Sequence, residues 1–154
     1  MTKSIINIED GSFILKDDFI IKRGDLYNEV LASAVKYDLS NPETDIIDYN
    51  NGYKWLTVKY IESKSLFFYF AICFKNEEVD RIFFGFSKTK CEKTWDDWSE
   101  EKELLLKKEY SEWLRKEIGE YLKFKWGNIG VYYDRKSGGT DMYVIYKDEL
   151  LNDL

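Results

Sequence analysis

The chain has 154 residues, with 29 acidic and 23 basic side chains and a formal charge of −6. A phosphate backbone is bound by Lys and Arg that displace counterions, so this acidity argues against a nucleic-acid partner. The sequence contains no histidine, which excludes Ser-His-Asp and Cys-His catalysis and any zinc site needing imidazole.

In chain order, residues 4–8 and 12–15 are short β-like runs around the turn Glu9-Asp10-Gly11, a hairpin pattern. Residues 16–24 read as a loop carrying the apolar patch Phe19-Ile20-Ile21. Gly24 frees the chain to turn, and Asp25 is a reasonable cap for a helix over 25–37. Leu26, Val30, Ala34 and Tyr37 fall on one face of it. A polar connection, 38–52, holds the single proline, Pro42, and its Ile46 and Ile47 need cover.

Three strands follow, at 53–62, 66–74 and 79–87, with connections short enough for an antiparallel meander. The first alternates Leu56, Val58 and Tyr60 against Trp55, Thr57, Lys59 and Ile61. The second is apolar on both sides, the pattern of a central strand. The third sets Ile82, Phe84 and Phe86 opposite Arg81 and Gly85.

The longest periodic stretch runs from Thr94 to Trp126. At about 100° per residue, Trp95, Trp98, Leu105, Leu106, Tyr110, Trp113 and Leu114 share one side. Thr94 is placed to cap it, and Asp96, Asp97, Glu100 and Glu101 crowd the positive end of the dipole. Gly119 places the end of the helix nearby. A final hairpin, 129–134 with 140–147, puts Val131 and Tyr133 on one side and Tyr132 on the other. Residues 148–154 read as a short acidic tail. With no repeat or linker, residues 1–154 are expected to form a single α+β domain. Its antiparallel sheet has about five or more strands, with one long and one shorter helix packed on it.

The start, MTKSIINIEDGS, has no apolar run of signal-peptide length. The longest apolar stretch, 66–74, falls short of the roughly 20 residues that cross a bilayer. Cys73 and Cys91 have no metal spacing. The expectation is a cytoplasmic, reduced protein without membrane contact.

Asp96 with Glu100, and Asp97 with Glu101, are the best carboxylate pairs for a hard cation. The helix dipole favours carboxylates in a first turn anyway, so no metal or other cofactor is called for. Gly127, Gly130 and Ser137-Gly138-Gly139 sit at turns, not between a strand and a helix, so no phosphate loop is read there. Lys88, Lys90, Lys93, Lys123 and Lys125 near Trp126 make only a local basic patch. Exposed aromatics beside carboxylates are a hot-spot composition. The candidate partner-binding residues are therefore Trp95, Asp96, Asp97, Glu100, Glu101, Tyr132 and Asp134, and no catalytic residue is assigned.

The motifs Trp95-Asp96-Asp97-Trp98-Ser99-Glu100-Glu101, Trp113-Leu114, Trp126-Gly127 and Tyr133-Asp134-Arg135-Lys136-Ser137-Gly138 resemble those of a group of small bacterial proteins of largely unassigned function. So do Phe13-Ile14-Leu15-Lys16-Asp17-Asp18 and the helix over 25–33. Proteins of this size, acidity and composition recur as immunity proteins of bacterial toxin systems, including contact-dependent inhibition. The resemblance implies a non-enzymatic protein that binds a cognate, basic toxin stoichiometrically. The alternative is a small-ligand or peptide-binding module with an aromatic pocket, and an enzyme using the helix carboxylates and a metal comes third.

Overall fold

The small strands at the beginning of the chain and the long ones in its middle fold into two separate sheets. A computed structural model describes residues 4–90, 98–120 and 122–147. The first sheet has the order β1 (Ile6–Asn7), β2 (Ser12–Lys16), β3 (Phe19–Ile21). Then come α1 (Tyr27–Lys36), β4 (Ile46–Asp48), β5 (Tyr53–Ser63), β6 (Leu66–Lys75), β7 (Glu78–Ser87), α2 (Glu100–Ile118), β8 (Lys123–Phe124), β9 (Gly127–Asp134) and β10 (Gly139–Tyr146). The second sheet has seven strands in the order β4-β5-β6-β7-β10-β9-β8, each antiparallel to its neighbour. Two helices on a large antiparallel sheet make this an α+β fold, mostly sheet.

The meander closes through two-residue turns, Lys64-Ser65 and Asn76-Glu77, whose central residues all have positive φ, between 51° and 72°. That handedness matches the twist of the flanking strands. The last strand, β10, does not stay at the edge beside β9 but enters between β7 and β9. Both edges are left to very short strands, β4 and β8, which limits the open hydrogen-bonding rim.

Among the described residues, the covering elements lie on one face of the large sheet. Phe13 of the small sheet meets Phe84 and Phe70 edge-on, at ring distances of 4.9 and 5.6 Å. Tyr27 of α1 meets Phe74 at 5.1 Å. From α2, Trp113 packs on Phe68, Phe84 and Phe86, while Tyr110 and Leu114 are buried. Leu56, Val58, Phe70, Ile72, Ile82, Met142 and Val144 complete this core. Full burial of such side chains contributes about 1.5–3 kcal/mol each.

Several expectations need correction. Phe19–Ile21 is a strand (β3), and its Phe19 and Ile21 are buried. The polar connection contains β4, and β8 precedes β9. Asp25 does not cap α1: its carboxylate accepts from Lys22 N–H at 3.0 Å, and the N-cap is Leu26. Ile61 joins the core because a bulge between Lys59 and Ile61 reverses the alternation.

The long helix begins at Glu100, capped by the Ser99 hydroxyl, which accepts from Lys102 N–H at 3.1 Å. It ends at Gly119 with φ 90°. Its inner face carries Glu103, Leu106, Tyr110, Trp113 and Leu114, while Leu105 is exposed. Thr94, Cys91, Lys93 and the acidic tail lie outside the described residues.

Candidate functional site

The face of the large sheet turned away from both helices has no covering layer among the described residues. Strand alternation dictates what it presents. Where β5, β6, β7, β10 and β9 put Leu56, Ile72, Ile82, Val144 and Ile129 inward, they put Trp55, Ala71, Phe83, Asp141 and Tyr132 outward, half-buried or exposed. One depression of about 350 Å³ is lined by residues of all five strands.

Trp55 and Phe83 form one wall, with rings 5.5 Å apart and tilted by 34°. Tyr132 and Asp134 of β9 form the other, and Asp141 lies between. Ala71 and Gly139 supply the small residues that leave the space.

The floor depends on a set of hydroxyls at the seam between β7 and β10. The seam pairs Phe84 with Met142, so two residues further along each strand the same register would join Phe86 to Thr140. Instead the strands splay. The Tyr110 hydroxyl takes the place of that step, accepting from Phe86 N–H at 3.2 Å and lying 3.3 Å from Phe86 O. Thr140 turns to α2 and donates to the Glu103 carbonyl at 3.2 Å. Gly85 leaves room for a second phenol: Tyr69 crosses it and donates to Asp141 Oδ1 at 3.0 Å. A methyl group at Gly85 would stand 2.4 Å from the Tyr69 hydroxyl and 2.5 Å from that of Tyr110.

Burial pushes both phenols up, Tyr110 to about 12, with Tyr69 raised further by Tyr110 and Asp141 beside it. Asp141 is therefore set in place by a neutral phenol. Asp134 is held by the hairpin turn, accepting from Lys136 N–H at 2.9 Å, and that hydrogen bond keeps its carboxyl below the usual range.

The expected site residues separate. Tyr132, 57% exposed, and Asp134 line the depression. Glu100 and Glu101 are exposed on the first turn of α2 and do not line it. Trp95, Asp96 and Asp97 lie outside the described residues. The two regions meet at the hairpin tip, where Trp98 Nε1 donates to Gly138 O at 2.7 Å and the Trp98 ring covers Gly138. Burial first, then Glu100, raises the Tyr133 phenol on the helix side of that hairpin. Among the described residues no three carboxylate or thiol ligands converge on one point, and no helix is long and apolar enough to cross a membrane.

Sequence reasoning missed Trp55, Phe83 and Asp141. Their signal was present as aromatic and acidic residues on the non-core positions of alternating strands. Only the strand order brings them together.

No protein-family model matches the chain, and no curated protein matches it. Among solved structures, a chain of "Rhs1-CT in complex with cognate immunity protein RhsI1" superposes with a TM-score of 0.54 at 11% sequence identity. The superposition covers 96% of this chain and 88% of that one. At that identity the likeness is one of fold.

Proposed function

We propose that this protein is a non-enzymatic immunity protein of the cytoplasm, which binds a cognate bacterial toxin and blocks it by occupying its surface. The observation that carries the reading is the fold likeness over 96% of the chain to a chain of a complex between Rhs1-CT and its cognate immunity protein. The sequence supports it independently: the histidine-free, acidic composition suits binding better than catalysis. A charge of −6 steers encounter with a basic partner. Blocking requires no chemistry, only burial of about 1,200–2,000 Å² in total around a few anchors. Glu100, Glu101, Tyr132 and Asp134 are offered as contacts on the two sides of the hairpin tip.

The test is co-expression with the reading frame adjacent to this protein's own. The expected result is growth arrest by that frame alone, rescue by this chain, and a complex at low micromolar concentration. Absence of toxicity, or of a complex, sinks the reading.

One observation favours the second reading, a small-ligand or peptide binder. A depression of about 350 Å³ lies within the size range of ligand sites, roughly 300–1,000 Å³. Against it, the hollow is open on a sheet face and so cannot enclose most of a ligand's surface. Saturable binding of a small molecule without any protein partner would favour this alternative.

A further inference from the structure

We infer that the partner protein docks on the outer rim of β9, from Val131 to Tyr133, by adding an extended segment of its own chain there as a further strand. This rests on the protein-binding reading above, and adds to it a site and a mode of recognition.

Backbone direction marks the rim. β8 pairs with β9 only at Lys123 with Asn128 and Phe124 with Gly127, and just beyond it Ile129 N–H donates to Leu122 O at 2.9 Å. On the other side, Lys147 N–H donates to Trp126 O at 2.9 Å, and the pairing with β10 runs on to Asp134. Backbone groups along an antiparallel strand point to alternate sides. The even-numbered residues of β9 therefore bond β10, and the odd-numbered ones point away from it. Val131 and Tyr133 are aimed outward past the end of β8, and no backbone partner meets them among the described residues. The opposite rim is closed. Beyond β4, Thr57 N–H donates to Asp45 O and Lys59 N–H to Leu39 O, both at 2.9 Å, so the chain's own loop takes the edge of β5 that far. An unmade ladder such as that of β9 is a template for another strand.

The hollow beside this rim decides what the added strand carries. About 370 Å³ lies between Val131 and the flank of α2, lined by the apolar Leu114, Leu122 and Val131 and by Lys107, Arg115 and Glu120. Ser111, also in its lining, is turned back on its own helix, donating to the Lys107 carbonyl at 2.8 Å. Directly opposed residues of paired strands share a face, so the residue opposite Val131 points its side chain into this hollow. An apolar side chain suits that place, and Leu122, 40% exposed, gains cover from it. Two positions along, the next side chain on the same face shares the hollow with Lys107 and Arg115. Neither cation is in an ion pair among the described residues, and an acidic side chain complements them. The same cations disfavour a second copy of this chain as the occupant. Antiparallel pairing of two β9 rims sets both α2 helices on one face, where Lys107 and Arg115 meet like charges.

The experiment has two arms. In the first, amide hydrogen exchange is followed in the intact protein alone and after mixing with the purified product of the adjacent reading frame. The Val131 and Tyr133 amides are expected to exchange readily in the protein alone and to slow at least about tenfold in the complex, while Gly130 and Tyr132 are slow in both. Val131→Pro removes a donor that points away from β10 and so leaves that ladder intact. It should weaken the complex at least about tenfold and abolish protection in co-expression. A complex in which neither amide slows overturns the docking mode and leaves the immunity reading intact, as does a folded Val131→Pro protein that protects as well as the wild type. Slow exchange of both amides in the protein alone, deepening with its concentration, overturns the choice of occupant in favour of a second copy. The second arm needs no toxin. The protein is titrated with a blocked hexapeptide of threonine and valine carrying glutamate at its second position and leucine at its fourth, and with the same peptide N-methylated on alternate residues. The first is expected to shift the Val131 and Tyr133 amide signals saturably in the millimolar range, and the methylated peptide to leave them unmoved. Equal shifts with both peptides, or none with the first, overturn the strand addition. Failure of the wild type to form any complex removes the immunity reading, and the peptide titration then decides what the rim binds.

Discussion

Removing one oxygen from Tyr110 should unlock the seam between β7 and β10. Tyr110 is fully buried, and its hydroxyl serves both backbone groups of Phe86, at 3.2 and 3.3 Å, where the ladder would otherwise have continued to Thr140. Tyr110→Phe keeps the ring against Phe86 (4.8 Å between centroids) and so creates almost no cavity. What changes is that a buried N–H and a buried C=O lose their partner. Each costs about 1–3 kcal/mol, and partial reclosure of the seam offsets some of it, giving about 2–4 kcal/mol. For a chain of this length that corresponds to roughly 5–15 °C in Tm. Urea unfolding followed by intrinsic Trp fluorescence measures it, with the midpoint falling at unchanged m. Tyr69→Phe provides the cycle. Because the two phenols meet over Gly85, the double variant should lose less than the sum of the singles, by at least about 0.5 kcal/mol. A Tyr110→Phe loss under about 0.5 kcal/mol, or strict additivity with Tyr69→Phe, would refute the idea that the hydroxyl completes the sheet.

Gly85→Ala inserts a methyl group 2.4 and 2.5 Å from the same two hydroxyls; it should cost about 2–4 kcal/mol from overpacking and displaced hydrogen bonds, read in the same urea assay. Gly11→Ala should be comparably harmful for a different reason. Gly11 has φ +76°, and a Cβ there would stand 2.5 Å from Trp126, so near-UV circular dichroism of the tryptophan should change together with stability. Alkaline stability should fall from about pH 10 upward. Tyr69, Tyr110 and Tyr146 are held neutral by burial, Tyr110 up to about 12. Their folded-state values therefore lie above the unfolded value, and the unfolded chain releases protons first. The stability is complete below the unfolded pKa and is lost as pH rises toward the folded one, by up to about 1.4 kcal/mol per pH unit for each phenol. Tyr146→Phe, which also removes the 2.5 Å bond to Gly11 O, should flatten that slope when urea midpoints are compared across the alkaline range. Tyr132→Ala should leave stability within about 0.5 kcal/mol, since its side chain is largely exposed.

Local pattern determined much of this protein. The alternation in β5, β7, β9 and β10 is readable from the sequence because a strand with one buried face must repeat every second position. The four-residue spacing of Val30 and Ala34 likewise announces α1, and Gly119 announces the end of α2. The strands that escaped notice, β3, β4 and β8, are two or three residues long, too short to show a period. They exist because longer neighbours supply their partners. The start and rotation of α2 depended on distant groups as well. Trp98 is not a helix residue but donates to a carbonyl forty positions later, and the Thr140 hydroxyl ties the helix to β10 at the Glu103 carbonyl.

The candidate site belongs to this second category. Strand alternation set Trp55 opposite Leu56 and Val58, and Tyr132 opposite Val131 and Tyr133, while Phe83 and Asp141 were not singled out. The meeting of Trp55, Phe83, Tyr132, Asp134 and Asp141 required β10 to enter between β7 and β9. A single strand carries its own facing through covalent geometry. Which strands become neighbours is a competition among many long-range pairings, settled by packing of the whole core, and that settlement is what collects these five side chains into one hollow.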